Sequence, residues 1–352
     1  MNWVKGDYDG KKILVTGHTG FKGTWLTRIL VSAGADVYGL SLPPEENSLF
    51  SKIPNSGLAQ SVYGDIRDKK FLDEYFKEHT FDGIFHLAAQ ALVGRAYDQP
   101  IETFETNVLG TANLLQSVLT FQSSKWAIVI TTDKVYENLE LTEGYGETDP
   151  LGGKDPYSAS KAATEMVVSA WRTMASHKKS GFVVSTARAG NVIGGGDHAE
   201  NRLVPDLIRS FQTNTKAVIR NPASLRPWQH VLDPLRGYLL MGSKLLHNVE
   251  ISPSYNFGPG ESSKLTVIDM ADAATSLWPG NQGIEIQIDT LAFHESKLLW
   301  LCSDLAEKEL GWHNQFDAIE AIRMTVEWER LSATSALSAL DLQISKYFWE
   351  KL

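Results

Sequence analysis

The sequence predicts an α/β fold, a doubly wound parallel sheet followed by a smaller C-terminal lobe, and three observations carry that prediction. Short apolar runs rich in β-branched residues alternate with segments of helical period from about residue 11 to residue 188, the rhythm of a parallel sheet with crossover helices. The first run leads into a glycine-rich turn and then a helix, the order of elements that binds a dinucleotide. From residue 189 onward the alternation loosens and prolines, arginines and tryptophans become frequent. We therefore expect a Rossmann-type domain over residues 1–188 and a second lobe made mainly of residues 189–352.

The chain has 352 residues, 43% of them hydrophobic, enough for one large domain or two. A formal net charge of -9 argues against a general nucleic-acid partner while leaving room for a local basic pocket for phosphates. Cys302 is the single cysteine, so no intrachain disulfide framework exists and a reducing cytoplasm is the simplest setting; we read it as a small buried residue. The N-terminal residues do not resemble a signal peptide. No run approaches the ~20 apolar residues of a membrane span, so no membrane partner is expected. No metal-ligating cluster stands out.

Residues 11–16 read as the first strand, and residues 24–33 have helical periodicity. Between them lies Gly17-His-Thr-Gly20-Phe-Lys-Gly23, spaced Gly-x-x-Gly-x-x-Gly. Glycines there let backbone amides approach a pyrophosphate at the helix N-terminus. Gly17, Thr19, Gly20, Phe21, Lys22 and Gly23 are thus candidate cofactor contacts. Residues 36–42 read as the second strand, whose end would carry an acid for the adenosine ribose of NAD. Ser41 stands near that place, and no arginine suited to the 2′-phosphate of NADP is evident, which leaves the two cofactors undecided. In Gly64-Asp65-Ile66-Arg67-Asp68, Asp65 serves either an adenine amino group, with Ile66 packing beside it, or a helix N-cap. Residues 81–89 give a fourth strand ending His86-Leu87-Ala88-Ala89, small enough for close approach of a cofactor. Asn107, in a helix over 101–119, is either a buried polar bridge or a surface residue. Residues 182–188 form a further strand.

The apolar run 126–131 reads as a buried strand, which sets Thr132, Asp133 and Lys134 at its carboxyl end, where open α/β sheets place their chemistry. Tyr157 and Lys161 follow in Asp155-Pro-Tyr-Ser-Ala-Ser-Lys161, four residues apart and so on one helix face. A tyrosine titrates near pH ~10 and is a poor base at neutral pH; an ammonium beside it favours the phenolate. The Tyr-x-x-x-Lys spacing alone is an ordinary helical turn. With a hydroxyl, a carboxylate and an amine at the preceding strand end, it reads as acid–base machinery around one small molecule.

With these residues in this order, the chain resembles the extended short-chain dehydrogenase/reductase superfamily and, within it, the nucleotide-sugar 4,6-dehydratases. The likeness runs on through Gly190-Asn-Val-Ile-Gly-Gly-Gly-Asp197, Arg202-Leu-Val-Pro-Asp206, Ile219-Arg-Asn-Pro222, Arg226-Pro-Trp-Gln-His-Val231 and Tyr255-Asn-Phe-Gly-Pro259, covering nearly the whole chain. Most members carry Thr-Asp-Glu where this chain has Thr132-Asp133-Lys134; lysine there marks the branch that acts on CDP-glucose.

The resemblance implies NAD as cofactor and a lyase reaction in which a hydride moves internally from C4 to C6 of the hexose with loss of water, for deoxysugars of surface polysaccharide such as O-antigen. It implies that Tyr157 takes the 4-OH proton, that Thr132 bonds the same oxygen, and that Lys161 holds the nicotinamide ribose and tunes Tyr157. Asp133 would protonate the departing 6-OH, and Lys134 would either remove the C5 proton, bind an oxygen or order water. The acid must keep a proton and the amine must lose one, and burial favours both. Gln90, Arg95, Asn191, Arg202, Arg226 and His294 are the candidates for the nucleotide sugar, with guanidinium groups suited to phosphate oxygens. The resemblance also implies a homo-oligomer, dimer or tetramer, paired through the helices carrying Asn107 and Tyr157. A different base or sugar, a 4-epimerase, and a dinucleotide-binding regulator without turnover are the competing readings. An epimerase does not need Asp133 and Lys134, and a regulator has no reason to keep Thr132, Asp133, Tyr157 and Lys161 together.

Overall fold

A computed structural model describes residues 3–53, 57–58, 60–287 and 298–350. Its centre is one seven-stranded sheet of β1 (Lys12–Thr16), β2 (Asp36–Ser41), β3 (Gln60–Tyr63), β4 (Gly83–His86), β5 (Trp126–Ile130), β6 (Val183–Arg188) and β7 (Ser254–Asn256). The order is β7-β6-β5-β4-β1-β2-β3, and every neighbouring pair is parallel. Strand order therefore reverses between β1 and β4, and a crevice opens at their carboxyl ends.

Alternation along the strands sends side chains to two cores. Ile13, Val15, Phe85, Ile128 and Ile130 meet Trp25, Leu26 and Leu30 of the helix Phe21–Ser32 on one face. Leu14, Ile84, Ala127 and Val129 meet Leu72, Phe76, Leu115 and Val168 on the other. Covered on both sides, β5 has all five residues buried, as parallel central strands require.

The helix expected over 101–119 is a run of three pieces, Pro100–Phe104, a π-helical turn Glu105–Gly110 and Thr111–Phe121. In that turn the Asn107 carbonyl accepts hydroxyls from Thr111 at 2.7 Å and from Thr164 at 2.9 Å. The helix after β3, Lys69–Glu78, is capped by Asp68, whose side chain accepts from the Phe71 amide, and not by Asp65. Cys302 is half-buried, not buried.

Beyond β6, the helices Leu203–Gln212, Val267–Leu277 and Ala318–Ser332 enclose a third core of Val204, Leu207, Phe211, Met270, Ala274 and Ile322. Other late segments return to the large sheet: β7 pairs with β6, and Leu235 and Leu239 of the helix Leu232–Leu246 join the first core. The C-terminal helices are tied down as well. Arg28 forms a bidentate pair with Asp341 at 2.5 and 2.8 Å, and the Tyr347 hydroxyl donates to Asp233 at 2.5 Å. No described helix is long and apolar enough to cross a membrane.

Candidate active site

The glycine turn leaves β1 at the point where strand order reverses. Gly17 has φ +71°, and a Cβ on it would lie 2.7 Å from the Ala88 nitrogen; one on Gly23 would lie 2.0 Å from the Gly17 carbonyl oxygen. Only glycine fits either place. The helix that follows starts at Phe21 with Gly20 as N-cap and no side-chain cap, so its first amides are left to an external acceptor. A cradle closed to Cβ atoms and an uncapped helix N-terminus fit the pyrophosphate of a dinucleotide. Beside it Thr19 pairs with Ser41, Oγ1 to Oγ 2.8 Å, and both hydroxyls reach the Leu42 carbonyl. The place expected for an acid is thus filled by a neutral hydroxyl pair.

Ala88 and Leu87 lie against this cradle from the end of β4. His86 is buried between Thr16 and Thr111, at 2.7 and 3.0 Å, and burial holds its pKa down at about 3, so it is neutral. Asn107 is the buried bridge: its carbonyl oxygen accepts the Gln90 amide at 2.8 Å, and its nitrogen donates to the Gln90 carbonyl and to Ser160 Oγ. The Gln90 side chain is spent in the same knot, on Leu92 and Thr103. Both Asp65 oxygens accept from Arg67, while Ile66 is buried against Gly110.

At the end of β5, Thr132 is the N-cap of a 3-10 turn, Asp133–Val135. Its hydroxyl donates to Asp133 Oδ1 at 2.8 Å and accepts from the Lys134 amide at 3.4 Å. Thr132 and Asp133 are buried. No hydrogen bond or ion pair engages the Lys134 ammonium among the described residues, which leaves it available to a ligand. The helix Pro156–His177 enters this region with Pro at its first position and Asp155 as cap. It delivers Tyr157, Ser160 and Lys161, all buried. Lys161 Nζ donates to the Ile130 carbonyl at 3.1 Å.

Electrostatics here are ruled by burial. Burial pushes Tyr157 up to about 12; the Thr132 hydroxyl and the Arg202 charge pull it down, and Asp133 and Asp155 push it further up. Burial brings Lys161 down to about 8, with Glu165 acting against it. Half-buried Lys22 is also brought down to about 8, by burial first, then Arg202, with Asp133 opposing and Lys161 adding. The lowering of the Tyr157 pKa expected from Lys161 comes instead from Thr132 and Arg202, and desolvation outweighs it.

On the lobe side, Asn191 adopts φ +46° and its carbonyl accepts from the Gln229 amide. Arg202 pairs with Asp197 at 3.1 Å, and its charge reaches both Tyr157 and Lys22. Arg226 is half-buried in a strand, Leu225–Pro227, of the small lobe. Arg95 is exposed and turned to Gln99 and Glu102. His294 lies outside the described residues. The structure thus gathers Lys22, Thr132, Asp133, Tyr157, Lys161 and Arg202 at one crevice, and leaves Arg95 on the surface. Sequence reading missed Glu165 and Arg188, which stand behind the crevice, and met Gly190 only as the start of the string Gly190–Asp197, with no role. Their signal is three-dimensional, since no local motif joins them.

A family model described as GDP-mannose 4,6 dehydratase matches residues 14–325. The chain belongs to this family of nucleotide-sugar dehydratases. A CDP-glucose 4,6-dehydratase of Salmonella typhimurium is 42% identical over 332 residues, covering 93% of this chain and 92% of its own. Among solved structures, an epimerase of Methanothermobacter thermautotrophicus superposes with TM-score 0.79 at 23% identity, over 98% of this chain and 97% of that one. A dTDP-glucose 4,6-dehydratase of Bacillus anthracis in complex with NAD gives 0.76 at 22%, over 92% and 97%. At those identities the structural likeness speaks for the fold. Membership in the dehydratase family rests on the sequence matches.

Proposed function

We propose that this chain is an NAD-dependent lyase that dehydrates CDP-D-glucose to CDP-4-dehydro-6-deoxy-D-glucose. The observation that carries the reading is the Thr132-Asp133-Lys134 turn beside Tyr157 and Lys161, with an unengaged ammonium at the third place. The identity with the Salmonella enzyme supports the same nucleotide sugar.

Gly17, Thr19, Gly20, Phe21, Lys22 and Gly23 would hold the pyrophosphate of NAD. Asp65, Ile66, Leu87, Ala88, Ala89 and Asn107 would shape the cofactor side of the crevice, with Tyr157 and Lys161 at the nicotinamide end. Bound there, NAD supplies a hydride acceptor that becomes the donor, so the overall reaction is redox-neutral.

The protein's part is proton transfer and orientation. Tyr157, protonated at neutral pH in this setting, gives up its proton only as cations share its site, and Arg202 is one that already pulls in that direction. Thr132 orients the sugar 4-oxygen. Asp133, buried and in contact with Thr132, is placed as the acid for the departing hydroxyl. Lys134 takes the C5 proton in this reading. Asn191, Arg202 and Arg226 would meet the sugar diphosphate from the lobe, with residues 1–188 serving the cofactor and mainly 189–352 the substrate.

The reading includes a cytoplasmic place in deoxysugar supply for surface polysaccharide, and a homo-oligomer. Ile101, Leu109 and Met166 are 71%, 57% and 59% exposed on the segments that carry Asn107 and Tyr157, an apolar surface suited to a second copy.

The test is incubation of purified chain and NAD with CDP-, dTDP-, UDP- and GDP-hexoses, followed by mass. Loss of one water from CDP-glucose alone is expected. Water loss from another nucleotide sugar moves the specificity, and none from any of them removes the dehydratase reading.

A further inference from the structure

We infer that the buried ion pair Glu165–Arg188 is a positioning device for the reaction, gripping the Thr132-Asp133-Lys134 turn from both flanks, with Glu165 one helical turn from Lys161. The inference rests on the dehydratase reading above.

Glu165 and Arg188 have side chains only 5% and 4% exposed. Arg188 Nε donates to Glu165 Oε1 at 3.0 Å and Nη2 to Oε2 at 2.8 Å. Apart from a bond from Arg188 Nη1 to the Glu147 carbonyl at 3.1 Å, the remaining capacity of each group goes to the catalytic segment and its neighbours. Thr131, one residue before the turn's cap, donates its hydroxyl to Glu165 Oε1 at 2.6 Å. Tyr136, directly after the turn, accepts from Arg188 Nη1 at 2.6 Å and donates onward to Asn256 Oδ1 at 2.8 Å. Thr186 of β6 donates to Glu165 Oε2 at 2.8 Å. One ion pair thus fixes both ends of the stretch that bears Thr132, Asp133 and Lys134, and ties it to β6, to β7 through Asn256, and to the helix of Tyr157.

A pair of this kind is a poor way to gain stability. Desolvation takes back most of its attraction, and an apolar replacement of the same shape often does as well. What an apolar replacement lacks is directional grip, and a charge one helical turn from Lys161. The charge that acts on Lys161 is that of Glu165 on its own helix, while Lys161 in turn bears on Lys22 of the helix after β1 and on His86 of β4. His86 is neutral and Lys22 is a cation, so Glu165 is the anion among them. Its negative charge favours the Lys161 ammonium, and removing that charge lets the ammonium lose its proton at lower pH.

Glu165→Gln keeps the shape and one acceptor oxygen while removing the charge. We expect kcat for water loss to fall roughly tenfold or more with KM within about twofold. The alkaline limb of the kcat profile should move down by about one pH unit. Competitive acylation of Lys161 across pH, read by mass spectrometry, should show the same displacement. The labelling needs no turnover, so it reads the pair even if the wild-type chain acts on no nucleotide sugar; that failure would remove the dehydratase reading by itself. A folded Glu165→Gln protein with the wild-type limb and wild-type labelling overturns the inference. If this variant does not fold, Thr131→Val and Tyr136→Phe decide, since each releases one flank and leaves the ion pair whole. A roughly tenfold loss of kcat at near-wild-type Tm supports the grip, and wild-type kcat in both overturns it.

Discussion

The Asp133 carboxylate occupies the space that a side chain on Gly190 would need: a Cβ there would stand 2.0 Å from Asp133 Oδ2 and 2.1 Å from its carboxyl carbon. Asp133 ends its path from β5 against the backbone that leaves β6, so the position of the proposed acid is fixed by the absence of one methyl group. Gly190→Ala must displace the carboxylate. We expect at least ~100-fold loss of kcat for water loss, because a shift of about 1 Å at a proton donor is enough for that. Tm should fall only slightly, since what moves is the end of a side chain. Wild-type kcat in Gly190→Ala would show that Asp133 is not held there for catalysis.

Tyr157→Phe removes the one phenol at the crevice that the proposal uses. Rates should fall by roughly 10²–10⁴, the usual span for a lost general acid–base group, with nucleotide-sugar binding by calorimetry little changed. Burial holds this tyrosine up at about 12, so the free chain should show no tyrosinate from it in a difference spectrum at pH 8.

Lys134 tests the departure from Thr-Asp-Glu. Lys134→Met should stop water loss, lowering the rate by ~100-fold or more, and should also stop exchange of the C5 hydrogen with deuterated water. Lys134→Glu restores a basic group at the same place and should keep both at a reduced level. Equal inactivity of the two variants would assign Lys134 to holding the substrate and not to the proton.

Each part of the fold was legible to the degree that its signal is local. The first strand, glycine turn and helix are contiguous, and the structure places them within three residues of the reading. Helix 101–119 was legible as a helix, but its π turn is set by Thr111 and Thr164 converging on the Asn107 carbonyl, and no periodicity records that. Asp65 was legible as a possible cap, but the Phe71 amide is met by Asp68, three residues on, and that position exists only in the fold. The Glu165–Arg188 pair joins residues from a helix and a strand to Thr131, Tyr136 and Asn256, a coincidence that exists only after the sheet has formed. The spacing points to Lys161 as the group that lowers Tyr157; in the fold Thr132 and the distant Arg202 do so, and the desolvation that outweighs them depends on how much protein closes over the phenol.

Asp233 gives a pH dependence that belongs to folding. It is buried at the start of the helix Leu232–Leu246, accepts from Tyr347 and from the Gln315 and Phe316 amides, and burial raises its pKa to about 6. A carboxyl raised from its unfolded value near ~3.9 binds more proton in the folded chain. Its contribution to stability is full below pH ~4 and is lost as pH rises through about 6. Asp233→Asn cannot titrate, so the difference in Tm between the two proteins should change between pH ~4 and 6 and be flat above it, the wild type losing ground as pH rises. A difference that is constant across that range would mean that Asp233 is ionised throughout.

The exposed apolar side chains Ile101 and Met166 test the assembly. They stand on segments packed side by side, the helix Pro100–Phe104 and the helix Pro156–His177. Each is more than half exposed in the single chain, at 71% and 59%. If a second copy covers them, a carboxylate there meets its symmetry mate or an apolar neighbour and is buried without a partner, which costs several kcal/mol. Ile101→Glu with Met166→Glu should therefore convert the assembly to monomer in sedimentation, with the far-UV spectrum unchanged. On an open surface the same substitutions would change stability by less than ~0.5 kcal/mol and leave the mass as it was, and an unchanged mass would place the interface elsewhere.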